Sequence, residues 1–225
     1  MTNEIMPDGI EFVENPEPRC PVILLLDVSS SMEGRKIQLL NRGLVDFYLA
    51  IRKDQLASIR CEIAIITFGS NAELVQDFVT ADRFSPRELI ASGTTAMCEG
   101  IDLALEKIDE RKRQYRDNGI NYYRPWLFML TDGHPTDPPE QIDEVSERLK
   151  LAEKEKRVAV FSVGVERANM ARLRKMSIRP PLRLDKMKFS NMFVWLSQSM
   201  SRVSRSRMTD EIELDVSELM NWAKV

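Results

Sequence analysis

Apolar positions along this chain fall into short continuous runs that alternate with helical stripes. Pro21 to Val28 (PVILLLDV) is an almost unbroken apolar run, which suits a central strand buried on both faces. Ile37, Leu40, Leu44, Phe47 and Ile51 follow at spacings of three and four, one stripe of a helix. Residues 60–68 (RCEIAIITF) predict a second strand, Gly69-Ser70-Asn71 a turn, and 72–79 a third strand. So short a link implies an antiparallel hairpin, with Glu73 and Asp77 on an exposed edge. Ser85-Pro86-Arg87-Glu88 predicts a helix start. A longer helix then places Met97, Ile101, Leu105 and Ile108 on one face and ends in the charged stretch 109–124, which holds Asn118-Gly119.

The second half repeats the alternation. Pro125 to Thr131 (PWLFMLT) predicts a doubly buried strand, Asp137-Pro138-Pro139-Glu140 a helix start, and Ile142, Val145 and Leu149 its inner face. Val158 to Val165 predicts the next strand, followed by a short helix near 168–176 and a short strand at Leu182 to Leu184. Ser190 is expected to cap a helix with Phe193, Leu196, Met200 and Val203 inward. Ile10 to Val13 reads as a short strand in a polar lead-in. Residues 211–216 alternate as a strand would, and Ser217 is placed to cap a turn carrying Leu219, Met220 and Trp222. Such a tail either stays disordered, docks on the domain, pairs with Ile10 to Val13, or inserts into a neighbour.

Strands alternating with helices imply an α/β fold: a doubly wound, mostly parallel, Rossmann-like sheet with one antiparallel edge strand and helices on both faces. The expected boundaries are a lead-in at 1–18, the main domain at 19–205 and a tail at 206–225. An apolar content of 43% and a net charge of −3 exclude disorder for most of the chain. The longest apolar run, Val22 to Leu26, is too short to span a bilayer, and no basic start leads into an apolar stretch. A cytoplasmic protein without membrane contact is therefore expected, and the acidic balance gives no general attraction to nucleic acid.

Cys20, Cys61 and Cys98 contain no CxxC pair and read as reduced, partly buried thiols. A single histidine, His134, removes HExxH and multi-histidine metal centres. What remains is carboxylates, hydroxyls and a hard cation. In a doubly wound sheet the ligand site lies at the carboxyl ends of the strands. There stand Asp27-Val28-Ser29-Ser30-Ser31, Ala91-Ser92-Gly93-Thr94-Thr95 and Thr131-Asp132-Gly133. The alternate spacing of Asp27, Ser29 and Ser31 lets their oxygens point one way in an extended turn. Oxygen-only donors suit magnesium or manganese. Two carboxylates neutralise such an ion, and the hydroxyls add no charge, so it keeps room for a partner's carboxylate.

DVSSS at 27–31, the Gly-Thr loop at 93–95 and TDG at 131–133 resemble the metal-ion-dependent adhesion site of von Willebrand factor A domains, over roughly residues 19–205. Within that superfamily, LLLDVSSSM, ITFGSNAELV, ASGTTAM, MLTDGHPTD and FSNMFVWLSQSM resemble the bacterial tellurium-resistance TerY-type group. The resemblance implies a non-enzymatic protein-interaction module holding Mg²⁺ (or Mn²⁺ or Ca²⁺) on Asp27, Ser29, Ser31, Thr95 and Asp132. Ser30, Thr94 and His134 would form the partner-binding rim, with a solvent-exposed loop role as the other reading of His134. The group usually reads GGT where this chain has Gly93-Thr94-Thr95, so Thr94 is an alternate to Thr95. It further implies an adaptor or regulator in stress response or phage defence. The partner would be a protein offering an Asp or Glu carboxylate, with a Ser/Thr kinase or a phosphatase as candidates.

A metal-dependent phosphohydrolase is the alternative, since a strand-end Asp with Mg²⁺ resembles the haloacid-dehalogenase start. That chemistry needs an acid two residues on, where this chain has Ser29. The basic stretch Arg167, Arg172, Arg174, Lys175, Arg179, Arg183, Lys186 and Lys188 lacks interleaved aromatics and reads as a solvated face rather than a contact for an acidic partner or RNA.

Overall fold

Alternation of side chains along β1 (Cys20–Asp27) divides the interior into two cores. Val22, Leu24 and Leu26 enter one, Ile23 and Leu25 the other. That is why the run is apolar at every position instead of every second one. The computed structural model describes residues 10–132, 135–207, 219 and 221–224.

The order is α1 (Ile10–Glu14), β1, a 3₁₀ turn (Ser30–Met32), α2 (Arg35–Ile51), α3 (Gln55–Arg60), β2 (Cys61–Phe68), β3 (Ala72–Thr80), α4 (Met97–Asp117) and β4 (Trp126–Thr131). There follow α5 (Pro139–Lys154), β5 (Ala159–Val165), α6 (Met170–Met176), β6 (Leu182–Leu184), α7 (Phe189–Arg205) and β7 (Ala223–Lys224). The sheet runs β3-β2-β1-β4-β5-β6-β7. Strands β1, β2, β4, β5 and β6 are parallel, and β3 is the antiparallel edge strand expected from the hairpin. At the other edge β7 pairs antiparallel with β6, an element that two residues could not announce in sequence. Helices α2 and α7 cover one face; α4, α5 and α6 cover the other. Among the described residues no helix is long and apolar enough to cross a membrane.

Four local expectations are corrected. Ile10–Glu14 is helical, not a strand. The helix sets Glu11 and Phe12 on the Arg111 guanidinium, with Glu11 Oε1 accepting at 2.7 Å and the Phe12 ring 4.9 Å away. Ser85-Pro86-Arg87-Glu88 starts no helix. The segment stays extended because Asn41 on α2 bonds both backbone groups of Leu89, accepting from its N–H at 2.9 Å and donating to its C=O at 2.9 Å. Asp137 does not cap α5; its carboxylate accepts from Met97 N at 3.0 Å and so serves the first turn of α4. Ser190 lies inside α7, whose N-cap is Lys188. Residues 211–216 and Ser217 lie outside the described residues, but Trp222 is buried against Trp195, with ring centroids 5.3 Å apart.

A buried ion cluster closes the amino-terminal end of the sheet. Glu62 accepts from Arg19 Nε at 2.8 Å, from Arg111 Nε at 2.8 Å and Nη2 at 2.9 Å, and from the Tyr115 hydroxyl. Burial opposes charge on Arg111, but Glu62 outweighs it and holds the guanidinium's pKa above its ordinary value.

Asp54 ties α3 to the end of α7. It caps α3 by accepting from Leu56 N at 3.1 Å and Ala57 N at 3.2 Å, and pairs with Arg205 at 2.8 Å. Partial burial raises its pKa, but Arg205 and the two amides outweigh this and hold the carboxyl below its usual range. A depressed carboxyl stabilises the fold above its unfolded pKa of about 3.9, and that contribution is lost as pH falls through the folded value. Asp54→Ala should therefore cost about 1 kcal/mol at neutral pH. The difference from wild type should shrink towards zero as pH falls below the ordinary carboxyl range and through the depressed folded value. Urea unfolding of both proteins across that range checks it; an unchanged gap in acid would contradict the assignment.

Candidate metal-ion-dependent interaction site

The chain leaves β1 towards β2 on one side and later crosses to β4 on the other, so the carboxyl ends of β1 and β4 border the crevice where strand order reverses. Asp27 is the last residue of β1 and fully buried; Thr131 ends β4, and Asp132 follows it. Asp27 Oδ1 accepts from Ser29 N at 2.9 Å and from Ser29 Oγ at 2.5 Å; Oδ2 accepts from Thr131 Oγ1 at 2.6 Å. Ser29 Oγ lies 3.0 Å from Ser31 Oγ, and Ser31 Oγ donates to Asp132 Oδ1. Asp27, Ser29, Ser31 and Asp132 thus form one continuous hydrogen-bonded chain of oxygens. The 3₁₀ turn holds the serines in place because Met32, fully buried, anchors it to the core.

Thr95 is buried on a loop stitched to the turn after β1 and to Thr136. Ser30 N donates to Gly93 O at 3.0 Å and Ser92 N to Val28 O at 2.7 Å. On the far side Thr136 N donates to Thr95 O at 3.0 Å. Gly93 adopts φ +78°, and a Cβ there would collide with Ser70 Oγ. The left-handed position of the loop is therefore Gly93, which leaves residue 94 free to be threonine. Ser30 and Thr94 are exposed on the rim; His134 lies outside the described residues.

Three contributors carried no assignment in the sequence. Thr131 orients Asp27, although it stands inside the TDG motif. Lys36 Nζ donates to Asp132 Oδ2 and, at 2.7 Å, to Ser31 O, and lies 3.4 Å from Glu166 Oε2. Its only sequence signal is a cation in the first turn of the helix after DVSSS. Glu166 reaches it from a left-handed residue just past β5, which no motif marks.

The electrostatics are those of an anionic cradle. Burial pushes the Asp27 carboxyl above its usual range, against the bonds from Ser29 and Thr131 and with Asp132 adding to the rise. Partial burial works against the Lys36 charge, but Asp132 and then Glu166 hold its pKa above the ordinary lysine value. An ammonium thus stands where the acids call for positive charge. Cysteine chemistry has no place here. All three thiols are free and buried, and burial, then Asp137, pushes Cys98 up to about 12. Among the described residues no group of three or more His, Cys, Asp or Glu converges, so a cation here would need the hydroxyls as well as the two acids.

The von Willebrand factor type A domain model matches residues 22–193, and the chain belongs to that family. Solved structures agree on the fold. The pilus adhesin SpaC from Lactobacillus rhamnosus GG superposes with a TM-score of 0.67 at 15% identity, over 83% of this chain and 30% of that one. A von Willebrand factor type A protein from Catenulispora acidiphila gives 0.60 at 13% identity, over 82% and 43%. Proximal thread matrix protein 1 from the mussel byssus gives 0.54 at 16% identity, over 84% and 47%. The chain spans less than half the length of each of these three. No curated protein sequence matches it significantly.

Proposed function

We propose that this protein is a non-enzymatic interaction module that captures an acidic side chain of a partner protein through a divalent cation. The observation that carries the reading is the chain Asp27–Ser29–Ser31–Asp132, four oxygen-bearing side chains from two strand ends in hydrogen-bond reach of one another. Asp27, Ser29, Ser31 and Asp132 would hold the ion, with Thr95, or Thr94 in its place, supplying a further hydroxyl and Ser30, Thr94 and His134 the rim. Two carboxylates and neutral hydroxyls fit Mg²⁺ or Mn²⁺ best, with Ca²⁺ also within their chemistry. When bound, the ion supplies a Lewis-acidic position open to a partner's carboxylate oxygen. The protein's own residues do the rest: Thr131 and the Ser29 amide orient Asp27, and the Gly93 loop seats Thr95. Family membership supports an interaction role, as does likeness to a protein named an adhesin and another named a matrix protein. A phosphohydrolase gains no support, because Ser29 stands where its acid would be. The TerY-type resemblance extends the proposal to a cytoplasmic adaptor in bacterial stress response or phage defence, with a kinase or phosphatase as partner.

The ion and the Lys36 ammonium would compete for Asp132. Titration calorimetry of the metal-free protein with Mn²⁺ should therefore show uptake of one equivalent. Lys36→Met should bind about tenfold tighter, because a like charge a few ångströms away is removed. No Mn²⁺ uptake by either protein would end the metal reading; uptake with unchanged affinity in K36M would end the competition.

A further inference from the structure

Part of the basic stretch borders a concave surface. A cavity of about 470 Å³ lies between the start of α2, the end of β5, the β6–α7 connection and β7. Arg35, Arg183, Lys186 and Lys224 line it against Glu166 and Asp185, a cationic excess on a chain whose net charge is −3. Asp185 is occupied by Lys188 at 3.1 Å and Lys224 at 2.9 Å, and Arg183 donates to the Glu166 carbonyl. Arg35 and Lys186 are exposed and form no ion pair among the described residues. The cavity adjoins the oxygen chain directly: Glu166 forms its wall and touches Lys36, which touches Asp132.

The backbone here is unusual. Of the non-glycine residues described with positive φ, Glu166 (46°), Lys186 (46°) and Met187 (57°) all line this cavity, and only Lys156 does not. Conformations of that kind cost energy and gather where a binding surface dictates side-chain direction. The carboxyl-terminal segment completes the wall. β7 pairs with β6, Asp185 N donates to Trp222 O at 2.7 Å, and Lys188 Nζ donates to Asn221 O at 2.8 Å, which delivers Lys224 to the cavity.

We propose that this cavity is an anion subsite that takes a second acidic side chain of the partner whose first carboxylate meets the divalent cation. The proposal rests on the function proposed above and narrows its partner to a segment with two spaced acids. Arg35 and Lys186, without an ion pair among the described residues, are the cations that receive the second one; Arg183 and Lys224 set the potential around it. Among the described residues no aromatic ring lines the cavity, so these offer no stacking platform for nucleotide bases.

The test uses fluorescein-labelled Gly/Ser peptides of equal length carrying one Asp, or two Asp residues at a series of spacings, titrated with the full chain in Mn²⁺. At the best spacing the two-acid peptide should bind at least about fivefold tighter than the one-acid peptide at low salt, the scale expected of two partly exposed charge pairs. The double variant Arg35→Glu/Lys186→Glu should lose that advantage. Its Mn²⁺ uptake, melting temperature and affinity for the one-acid peptide should remain close to wild type. Arg172→Glu/Lys175→Glu on α6 should keep the advantage. Equal binding of both peptides at every spacing, an advantage that survives R35E/K186E, or equal competition by a single-stranded RNA oligonucleotide would each overturn the subsite. A two-acid advantage that persists in EDTA and vanishes in R35E/K186E would instead sustain the subsite and remove the cation from the mechanism.

Discussion

Glu62→Ala is expected to destabilise the protein by about 3–5 kcal/mol, the range for removing one member of a buried ion cluster. The loss of a carboxylate is the smaller part of the effect. Arg19 and Arg111 are both buried; among the described residues Glu62 is the one ion-pair partner of Arg19, and without it Arg111 keeps only the partly exposed Glu11. Without it two positive charges face each other in the low-dielectric end of the sheet, and the Tyr115 hydroxyl loses its acceptor. Urea unfolding with unchanged m-value checks the size, and a loss below about 1 kcal/mol would show the cluster to be solvated. If Glu62→Ala does not fold at all, Arg19→Met/Glu62→Leu/Arg111→Met decides the matter. Apolar replacement of the whole cluster should recover most of the stability.

Asp27→Asn is expected to separate function from stability. Its Mn²⁺ affinity should drop by about a hundredfold or more, since loss of a direct ligand exceeds the loss seen for outer partners. The metal-free fold should melt at the same temperature as wild type or higher. The carboxyl is fully buried, and burial pushes its pKa up. An acid whose folded pKa exceeds its unfolded value destabilises the fold at pH above both, and that cost fades as pH falls through the folded value. Asparagine keeps an acceptor for the Ser29 amide and offers an N–H to Thr131 Oγ1, so the local bonds survive without the charge. A melting temperature in EDTA several degrees below wild type would show that Asp27 is structural. Retained Mn²⁺ affinity would remove it from the ligand set.

The two effects come from opposite ends of the same sheet, and they differ in legibility for one reason. Strands β1, β2, β4 and β5 were readable because burial on both faces demands an unbroken apolar run, and the hairpin to β3 because a three-residue turn leaves no other geometry. The helices α2, α4, α5 and α7 were readable through their stripes. The expectations at 10–13, 85–88 and Asp137 fail for one reason. Each rests on local capping or alternation, and in each a distant group sets the conformation: Arg111 for α1, Asn41 for the segment at Leu89, and the α4 amino terminus for Asp137.

By itself the sequence determined the α/β class, the strand and helix alternation, and the placement of Asp27, Ser29, Ser31 and Asp132 at strand ends, because those follow from periodicities of two and three to four residues. Only the tertiary structure decided that Thr131 and Lys36 complete the oxygen chain, that Glu62 pairs two arginines, and that Arg35, Lys186 and Lys224 meet in one cavity. Those contacts join residues dozens to well over a hundred positions apart, and attraction between charges depends on separation in space and on burial, neither of which leaves a periodic trace along the chain.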